Sequence, residues 1–422
     1  MIASDVINMI ELGQRAKAAS QQLATLTTAQ KNAALARIAD LLAAHTDDIL
    51  RANREDIARA TANGVDPVWI RDRLDLEKRM SGLIADVRRV VELPDPVGTT
   101  YDERDVPPGL RVHKRRVPIG VLGVIYESRP NVTVDVSTLA LKTGNAVILR
   151  GGSDTLTTNL ALVDVLRRAL REAGIPDDAM QYIASTDRRY VNEMLKLHQY
   201  IDMIIPRGGA SLHDFCREHS TIPVIIGGMG ICHLFVDHSA NLPASLEVIA
   251  NAKLQRPAVC NALDTLLVHE AVAARFLPQV VERLAAAGVQ FRAEPRAHAL
   301  LEHPSVSAAG QGDFDTEWMG LTLGLKVVSG LDEAIAHIRA HSTQHSDGIL
   351  TEDAATAERF LNAVDSAAVY WNASTRFTDG SALGLGAEVA ISTQKLHARG
   401  PMALEELTTY KWVVVGQYTA RP

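Results

Sequence analysis

Cysteine is scarce. Three occur in 422 residues, Cys216, Cys232 and Cys260, and no two form a CxxC pair. That excludes a disulfide scaffold and any ordinary zinc site, and it suits a reducing compartment. A surplus of positive charge is also missing. The chain has 43 basic side chains against 50 acidic ones, a net charge of −7, which argues against nucleic acid as a partner. An anionic ligand would have to be held by a few local arginines against that overall field. No apolar run approaches the roughly 18 residues that a membrane span needs. Residues 1–13, with Asp5 and Glu11, lack a basic segment leading into an apolar core. No signal peptide is therefore expected, and the protein reads as cytoplasmic with no membrane partner. What is present is ordinary for a globular chain, 47% hydrophobic and 22% charged. The length exceeds one comfortable core, so two domains are expected.

The first hundred residues have helical spacing. Thr28 stands where a cap would precede Ala34, Ile38, Leu41 and Leu42, and Asn63-Gly64 supplies a stop. Pro94-Asp95-Pro96 ends a second pattern over residues 74–93. From Val117 short unalternating apolar runs appear at 121–126, 146–149, 182–184, 203–205 and 224–226. Helical segments at 132–141, 155–173, 189–197 and 211–219 lie between them. That rhythm predicts a parallel sheet covered on both faces, with ligands beyond the carboxyl ends of its strands. A second series follows Asp237, with strands near Leu266, Val289, Lys326, Gly348 and Val369. The expected fold is α/β, with two doubly wound parallel-sheet domains at residues 1–235 and 236–400. A late apolar strand at 410–415, in a C-terminal segment 401–422, belongs naturally to neither sheet. Trp412 and Val414 are too apolar for an exposed edge, so this strand is expected to pair with another subunit of a homo-oligomer.

Cys260 holds the most chemistry. It lies in Gln255-Arg256-Pro257-Ala258-Val259-Cys260-Asn261, after a helical stretch and before the apolar run 263–268. Such junctions turn backbone N–H groups toward a reacting oxygen, and a thiolate is a strong nucleophile toward an activated acyl group. A free Cys is as often a small buried hydrophobe. Three further runs follow strand ends. Tyr126-Glu127-Ser128-Arg129-Pro130-Asn131 leads into a helix, where an Asn amide can donate to an oxyanion. Leu149-Arg150-Gly151-Gly152-Ser153 and Pro206-Arg207-Gly208-Gly209-Ala210-Ser211 join a strand to a helix through glycines, which suits a phosphate or ribose. Each run also reads as plain turn chemistry, and no GxGxxG dinucleotide fingerprint is present. Their shared position behind successive strands favours a nucleotide site.

Three more segments join these runs in a pattern. They are Gly144-Asn145-Ala146-Val147-Ile148-Leu149-Arg150 and Asn372-Ala373-Ser374-Thr375-Arg376-Phe377, with His345-Ser346-Asp347-Gly348-Ile349 between the last two in the chain. In order and spacing the set resembles the aldehyde dehydrogenase superfamily over nearly the whole length. The resemblance implies an aldehyde-dehydrogenase-like fold, with an NADP-binding first domain, a catalytic second domain and a small oligomerisation strand. It points to the branch that reduces L-glutamyl 5-phosphate to L-glutamate 5-semialdehyde with NADPH in proline biosynthesis. Cys260 falls on the nucleophile. Arg129 occupies the register of the superfamily's oxyanion Asn and is placed against the substrate, while the nearby Asn131 is taken as the donor. Arg150 falls at the adenine ribose, and Ser153 replaces an acidic residue that would exclude a 2′-phosphate. Gly208, Gly209 and Ser211 fall at the pyrophosphate, Glu317 at the nicotinamide ribose, and Ser374 and Arg376 at the substrate carboxylate. No metal is implied.

One departure carries chemistry. Many members hold a Glu shortly before a Gly-Gly pair, which activates the water that hydrolyses the thioester. The matching run here is Pro223-Val224-Ile225-Ile226-Gly227-Gly228, without a carboxylate. The expected course is therefore displacement of phosphate by Cys260, hydride transfer from NADPH to the thioester carbonyl, and collapse to aldehyde and thiol. A CoA-acylating aldehyde dehydrogenase would also dispense with the base, but residues 372–377 speak for a compact anionic pocket. A non-catalytic scaffold for glutamate kinase is disfavoured by an intact Cys260, Arg150 and Glu317. A transient contact with that kinase is the expected protein partnership outside the homo-oligomer.

Overall fold

The computed structural model describes residues 6–421. Residues 1–5, part of the stretch read as lacking a signal peptide, and residue 422 lie outside the described residues. Among the described residues no helix is long and apolar enough to cross a membrane. The chain divides into two compact units. The first holds the described residues up to Ile226, Leu385–Ala390 and those from Met402 onward; the second holds Gly227–Gly384 and Ile391–Pro401.

The first unit opens with helices Met9–Leu23, Thr28–Ala44, Thr46–Ala62 and Met80–Glu92. The second of these is capped by Thr27 and not by Thr28. Thr27 has the extended backbone that turns its hydroxyl onto the Gln30 N–H, and Gln30 answers the Thr27 N–H, which completes a capping box. A hairpin follows, β1 (Thr100–Val106) and β2 (Leu110–Pro118). Its apolar residues, Val106, Leu110, Val112 and Val117, are scattered among charged ones, so no apolar run announced it. Then β3 (Val121–Tyr126), β4 (Ala146–Arg150), β5 (Met180–Tyr182) and β6 (Met203–Arg207) form a parallel sheet in the order β5-β4-β3-β6. Every residue of β3 is buried, as the unalternating run requires. β5 pairs through Met180–Tyr182 and so lies slightly before the expected 182–184. The run 224–226 is no strand: only Val224 bridges to Ile204, because Pro223 has no N–H to extend a ladder.

The second unit carries β7 (Cys232–Val236), β8 (Leu263–His269), β9 (Gln290–Ala293), β10 (Val306–Ala308), β11 (Thr322–Val328), β12 (Ser346–Leu350) and β13 (Ala368–Trp371). These form one parallel sheet in the order β10-β9-β11-β8-β7-β12-β13. Phe276, Leu277, Val280 and Leu284, on the helix Glu270–Ala285, pack on the buried face of β8 and β11. The α/β expectation therefore holds, with a doubly wound parallel sheet in each unit.

β14 (Ala390–Ser392) and β15 (Gly400–Met402) form a two-stranded ribbon. β16 (Thr408–Val415) pairs antiparallel with β2 over its whole length, from Thr408 against Pro118 to Val415 against Arg111. The late strand thus has a sheet in its own chain, β1-β2-β16, which could not be foreseen without the hairpin. Lys114 lies 4.6 Å from the Tyr410 ring centroid and 5.1 Å from that of Trp412, so a cation shields part of the aromatic surface.

Candidate active site

In the first unit the carboxyl ends of β4, β3 and β6 lie side by side, with Arg150 level with Ile125 and Arg207 level with Tyr126. Strand order reverses at β3, so the runs behind these strands gather at a topological switch point. Ser128 sits in the left-handed region at φ 42° and donates its hydroxyl to Asp154, a strained backbone held by a charge-assisted bond. The Glu127 carboxylate accepts from the Gly209 N–H at 3.1 Å. Gly209 caps the helix Ala210–His219, whose first turn has no side-chain cap, and Gly208, Gly209 and Ser211 are all exposed at that positive end. A Cβ on Gly208 would lie 2.5 Å from Glu127, whereas one on Gly209 would meet nothing. A side chain at 208 would thus displace the Glu127 carboxylate, while Gly209 leaves the helix end open.

Arg150 is half-buried and donates to the carbonyls of Gly151 and Thr186 at 3.0 and 3.2 Å. Its Nε is buried with no partner among the described residues, and burial lowers the pKa of the guanidinium. A buried donor without an acceptor suits an anionic ligand, so this end of the sheet fits a dinucleotide. Ser153 is exposed, and the adjacent Asp154 is turned onto Ser128. Asn131 opens the helix Asn131–Lys142 and donates its amide to Asp135 at 2.8 Å, a carboxyl that burial pushes up to about 6. One of its amide hydrogens is thus committed. Arg129 is exposed on the loop before it.

In the second unit Cys260 lies between the helix Leu242–Leu254 and β8, at the expected junction. None of the three thiols is in a disulfide, and only Cys260 is not fully buried. Burial pushes Cys216 up to about 11 and Cys232 well above the usual thiol range, which disqualifies both as thiolates at neutral pH. The Cys260 loop is stitched in place. Cys232 Sγ donates to the Cys260 carbonyl at 3.2 Å, Thr375 Oγ1 donates to the Asn261 carbonyl at 2.8 Å, and the Asn261 amide donates to the Thr378 carbonyl at 2.8 Å. A Cβ on Gly230 would collide with the Cys260 carbonyl oxygen, and one on Gly227 with that of Ile391. The glycine run is packed backbone on backbone.

Glu317 accepts from the Gly230 N–H at 2.9 Å, and burial, with Asp264 nearby, raises its carboxyl to about 7. Asp264 is itself raised to about 6 by burial; it accepts from the Trp318 N–H at 3.3 Å and faces Lys253 at 3.5 Å. This cluster stands at the amino ends of β7 and β8, where the junction between a helix and the apolar run 263–268 placed Cys260. The reason is local: residues 255–261 descend from the helix before β8 and so meet its first residues. Ser374 is buried and accepts from the Arg376 N–H at 3.3 Å. Arg376 is half-buried and donates from Nε to Gln255 at 3.0 Å, with no carboxylate within ion-pairing distance among the described residues.

Gly230, Cys232, Lys253, Asn261 and Asp264 were not anticipated as parts of the site. The density of glycine in Gly227-Gly228-Met229-Gly230 was the one visible cue. Asp237, His238 and His269 hold ligand atoms within 4.8 Å of one another. His269 Nδ1 already accepts the Ala271 N–H and His238 Nδ1 lies 3.0 Å from Asp237, so we assign them no metal.

Residues 3–299 match the sequence model of the Aldehyde dehydrogenase family. The chain belongs to that family. It is 57% identical over 419 residues to the gamma-glutamyl phosphate reductase of Photobacterium profundum, covering 99% of this chain and 100% of the relative. It is 57% identical over 414 residues to that of Aeromonas salmonicida, covering 98% and 99%. The crystal structure of gamma-glutamyl phosphate reductase from Thermotoga maritima superposes with a TM-score of 0.96 at 46% identity, covering 99% of this chain and 100% of that one. An acetylating aldehyde dehydrogenase from Geobacillus thermoglucosidasius, with TM-score 0.69 and 18% identity over 98% of each chain, shares the fold. The fold is aldehyde-dehydrogenase-like, and membership of the family implies a nicotinamide cofactor.

Proposed function

We propose that this aldehyde dehydrogenase family member reduces L-glutamyl 5-phosphate to L-glutamate 5-semialdehyde and phosphate with NADPH, a step of proline biosynthesis. One observation carries the reading: Cys260, the one cysteine not fully buried, is seated against a glycine run that bears no carboxylate. The name shared by relatives at 57% identity over essentially the full length supports the substrate. The CoA-acylating alternative is not favoured, since the acetylating neighbour shares 18% identity and with it the fold alone.

In this reading the Cys260 thiolate attacks the acyl carbonyl, and the C–O bond to phosphate breaks with its electron pair on the phosphate. A bound NADPH supplies the hydride that reduces the resulting thioester. N–H groups of the Cys260 loop, with the second amide hydrogen of Asn131, are the donors assigned to the developing oxyanion. Protonation and cleavage of the C–S bond then release the aldehyde and return the thiolate. The first unit, through Ile226, binds NADP, and the second, which begins at Gly227 and so takes in β7, carries the chemistry. Gly208, Gly209 and Ser211 receive the pyrophosphate at the open helix end, and Glu317 holds the nicotinamide ribose. Arg150, with its unpartnered Nε, and the uncharged Ser153 accommodate a 2′-phosphate. Arg129, Ser374 and Arg376 hold the substrate.

β16 lies at an edge of its sheet, with Trp412 47% and Val414 55% exposed, which supports pairing with a second copy of the chain in a homo-oligomer. Three cysteines without a disulfide fit the cytoplasm. The lability of an acyl phosphate is the argument for transient contact with glutamate kinase.

With L-glutamyl 5-phosphate generated in situ by a glutamate kinase, the protein should oxidise NADPH, and Cys260→Ser should lower kcat by roughly 10³-fold or more with nucleotide binding intact. Full activity in Cys260→Ser, or equal reduction of acetyl-CoA, would overturn the reading. Arg150→Ala should raise KM for NADPH by about 10- to 100-fold and leave KM for NADH nearly unchanged; equal losses would remove Arg150 from the 2′-phosphate. Light scattering should show an oligomer that Trp412→Glu weakens, and a stable monomeric wild type would contradict the edge-pairing proposal.

A further inference from the structure

Arg256 stands four residues before Cys260 and is exposed. Its neighbour Gln255 accepts from Arg376 Nε at 3.0 Å, and the Asn261 amide reaches the Arg376 carbonyl at 3.4 Å. The segment that bears Arg376 is thus tied to the chain on both sides of Arg256 and Cys260. Burial lowers the pKa of the Arg376 guanidinium, and the positive charge of Arg256 lowers it further, while Asp379 and Cys260 oppose that shift. Asp379 spends one oxygen on the N–H groups of Ser381 and Ala382, at 3.0 Å each, and forms no ion pair with either arginine. Among the described residues neither guanidinium has a carboxylate within ion-pairing distance. Two like charges beside a nucleophile, in a chain of net charge −7, raise each other's energy unless an anion lies between or upon them.

The substrate of the proposed function has two anionic ends, a carboxylate far from the reacting carbonyl and a phosphate directly on it. We propose that Arg256 is the phosphate-binding residue of the reaction, and that Arg376 is left to the distal carboxylate; this rests on the function read above. In the reducing direction Arg256 neutralises the charge that gathers on the phosphate oxygen as its bond to carbon breaks. In the oxidising direction it holds inorganic phosphate while a phosphate oxygen attacks the thioester carbonyl. The C–S bond then breaks, its electron pair returns to Cys260 as thiolate, and the acyl phosphate departs. A guanidinium offers paired N–H donors to phosphate oxygens, which a lone ammonium cannot match.

The test is oxidation of L-glutamate 5-semialdehyde by NADP with inorganic phosphate varied, on the full chain. Arg256→Ala should raise KM for phosphate by about 10- to 100-fold and leave KM for the semialdehyde within about twofold. Intact-mass measurement should still find Cys260 acylated by semialdehyde and NADP, which shows that fold and acyl transfer survive. Arg256→Lys should recover part of the phosphate affinity. An unchanged KM for phosphate, a parallel rise in both KM values, or loss of acylation in both variants would each overturn the assignment. Wild-type turnover that needs neither phosphate nor arsenate would instead overturn the proposed function, whatever Arg256 does.

Discussion

The Cys260 carbonyl oxygen and the Cα of Gly230 are packed so closely that no side chain fits at position 230. Much of the second unit's chemistry follows from that approach. It brings the Gly230 N–H to Glu317, raises the Glu317 carboxyl by burying it, and seats the Cys260 loop where Cys232, Thr375 and Thr378 can tie it down. Gly227 meets the Ile391 carbonyl in the same manner, so the run is anchored at both ends. The run itself bears no carboxylate, and the one that reaches it, Glu317, is held by the Gly230 N–H.

Rigidity here is electrostatic as well as steric. Lys253 and Asp264 are both fully buried beneath the loop, with Lys253 Nζ also donating to the Leu263 carbonyl at 2.8 Å. Breaking such a pair from one side leaves an uncompensated buried charge, which costs about 3–5 kcal/mol. Asp264 in turn accepts the Trp318 N–H, next to Glu317. The position of Glu317 thus depends on a buried ion pair as well as on the glycine run. In the proposed reaction, by contrast, the two anionic ends of the substrate are assigned to Arg256 and Arg376, neither with a carboxylate in ion-pairing distance among the described residues, as suits an acidic chain that handles anions.

Legibility in the sequence followed burial. The fully buried strand β3 announced itself as an unbroken apolar run, and the three runs behind strand ends, two of them bearing glycine, were found because each follows such a strand. The hairpin β1-β2 was invisible because its residues are mostly polar and half-exposed, held by ladder bonds and by β16 more than by burial. Run 224–226 has the composition of a strand, yet Pro223 limits it to a single bridge. Cys260 was legible by residue type and junction. The contacts that fix its loop were not, because Gly230, Thr375 and Thr378 come from segments distant in the chain. Lys253 reads as an ordinary helix lysine, and nothing local reveals that its amine lies buried against Asp264.

The central claim is that the acyl group on Cys260 is shielded from activated water and released only to phosphate. Pre-steady-state oxidation of L-glutamate 5-semialdehyde by NADP in phosphate-free buffer tests it most directly. General-base assistance typically contributes about 10²–10⁴-fold, so without it hydrolysis should be slow. The account predicts one burst of NADPH per Cys260 followed by a stall, with the enzyme mass raised by the acyl group. Sustained turnover yielding glutamate would contradict it.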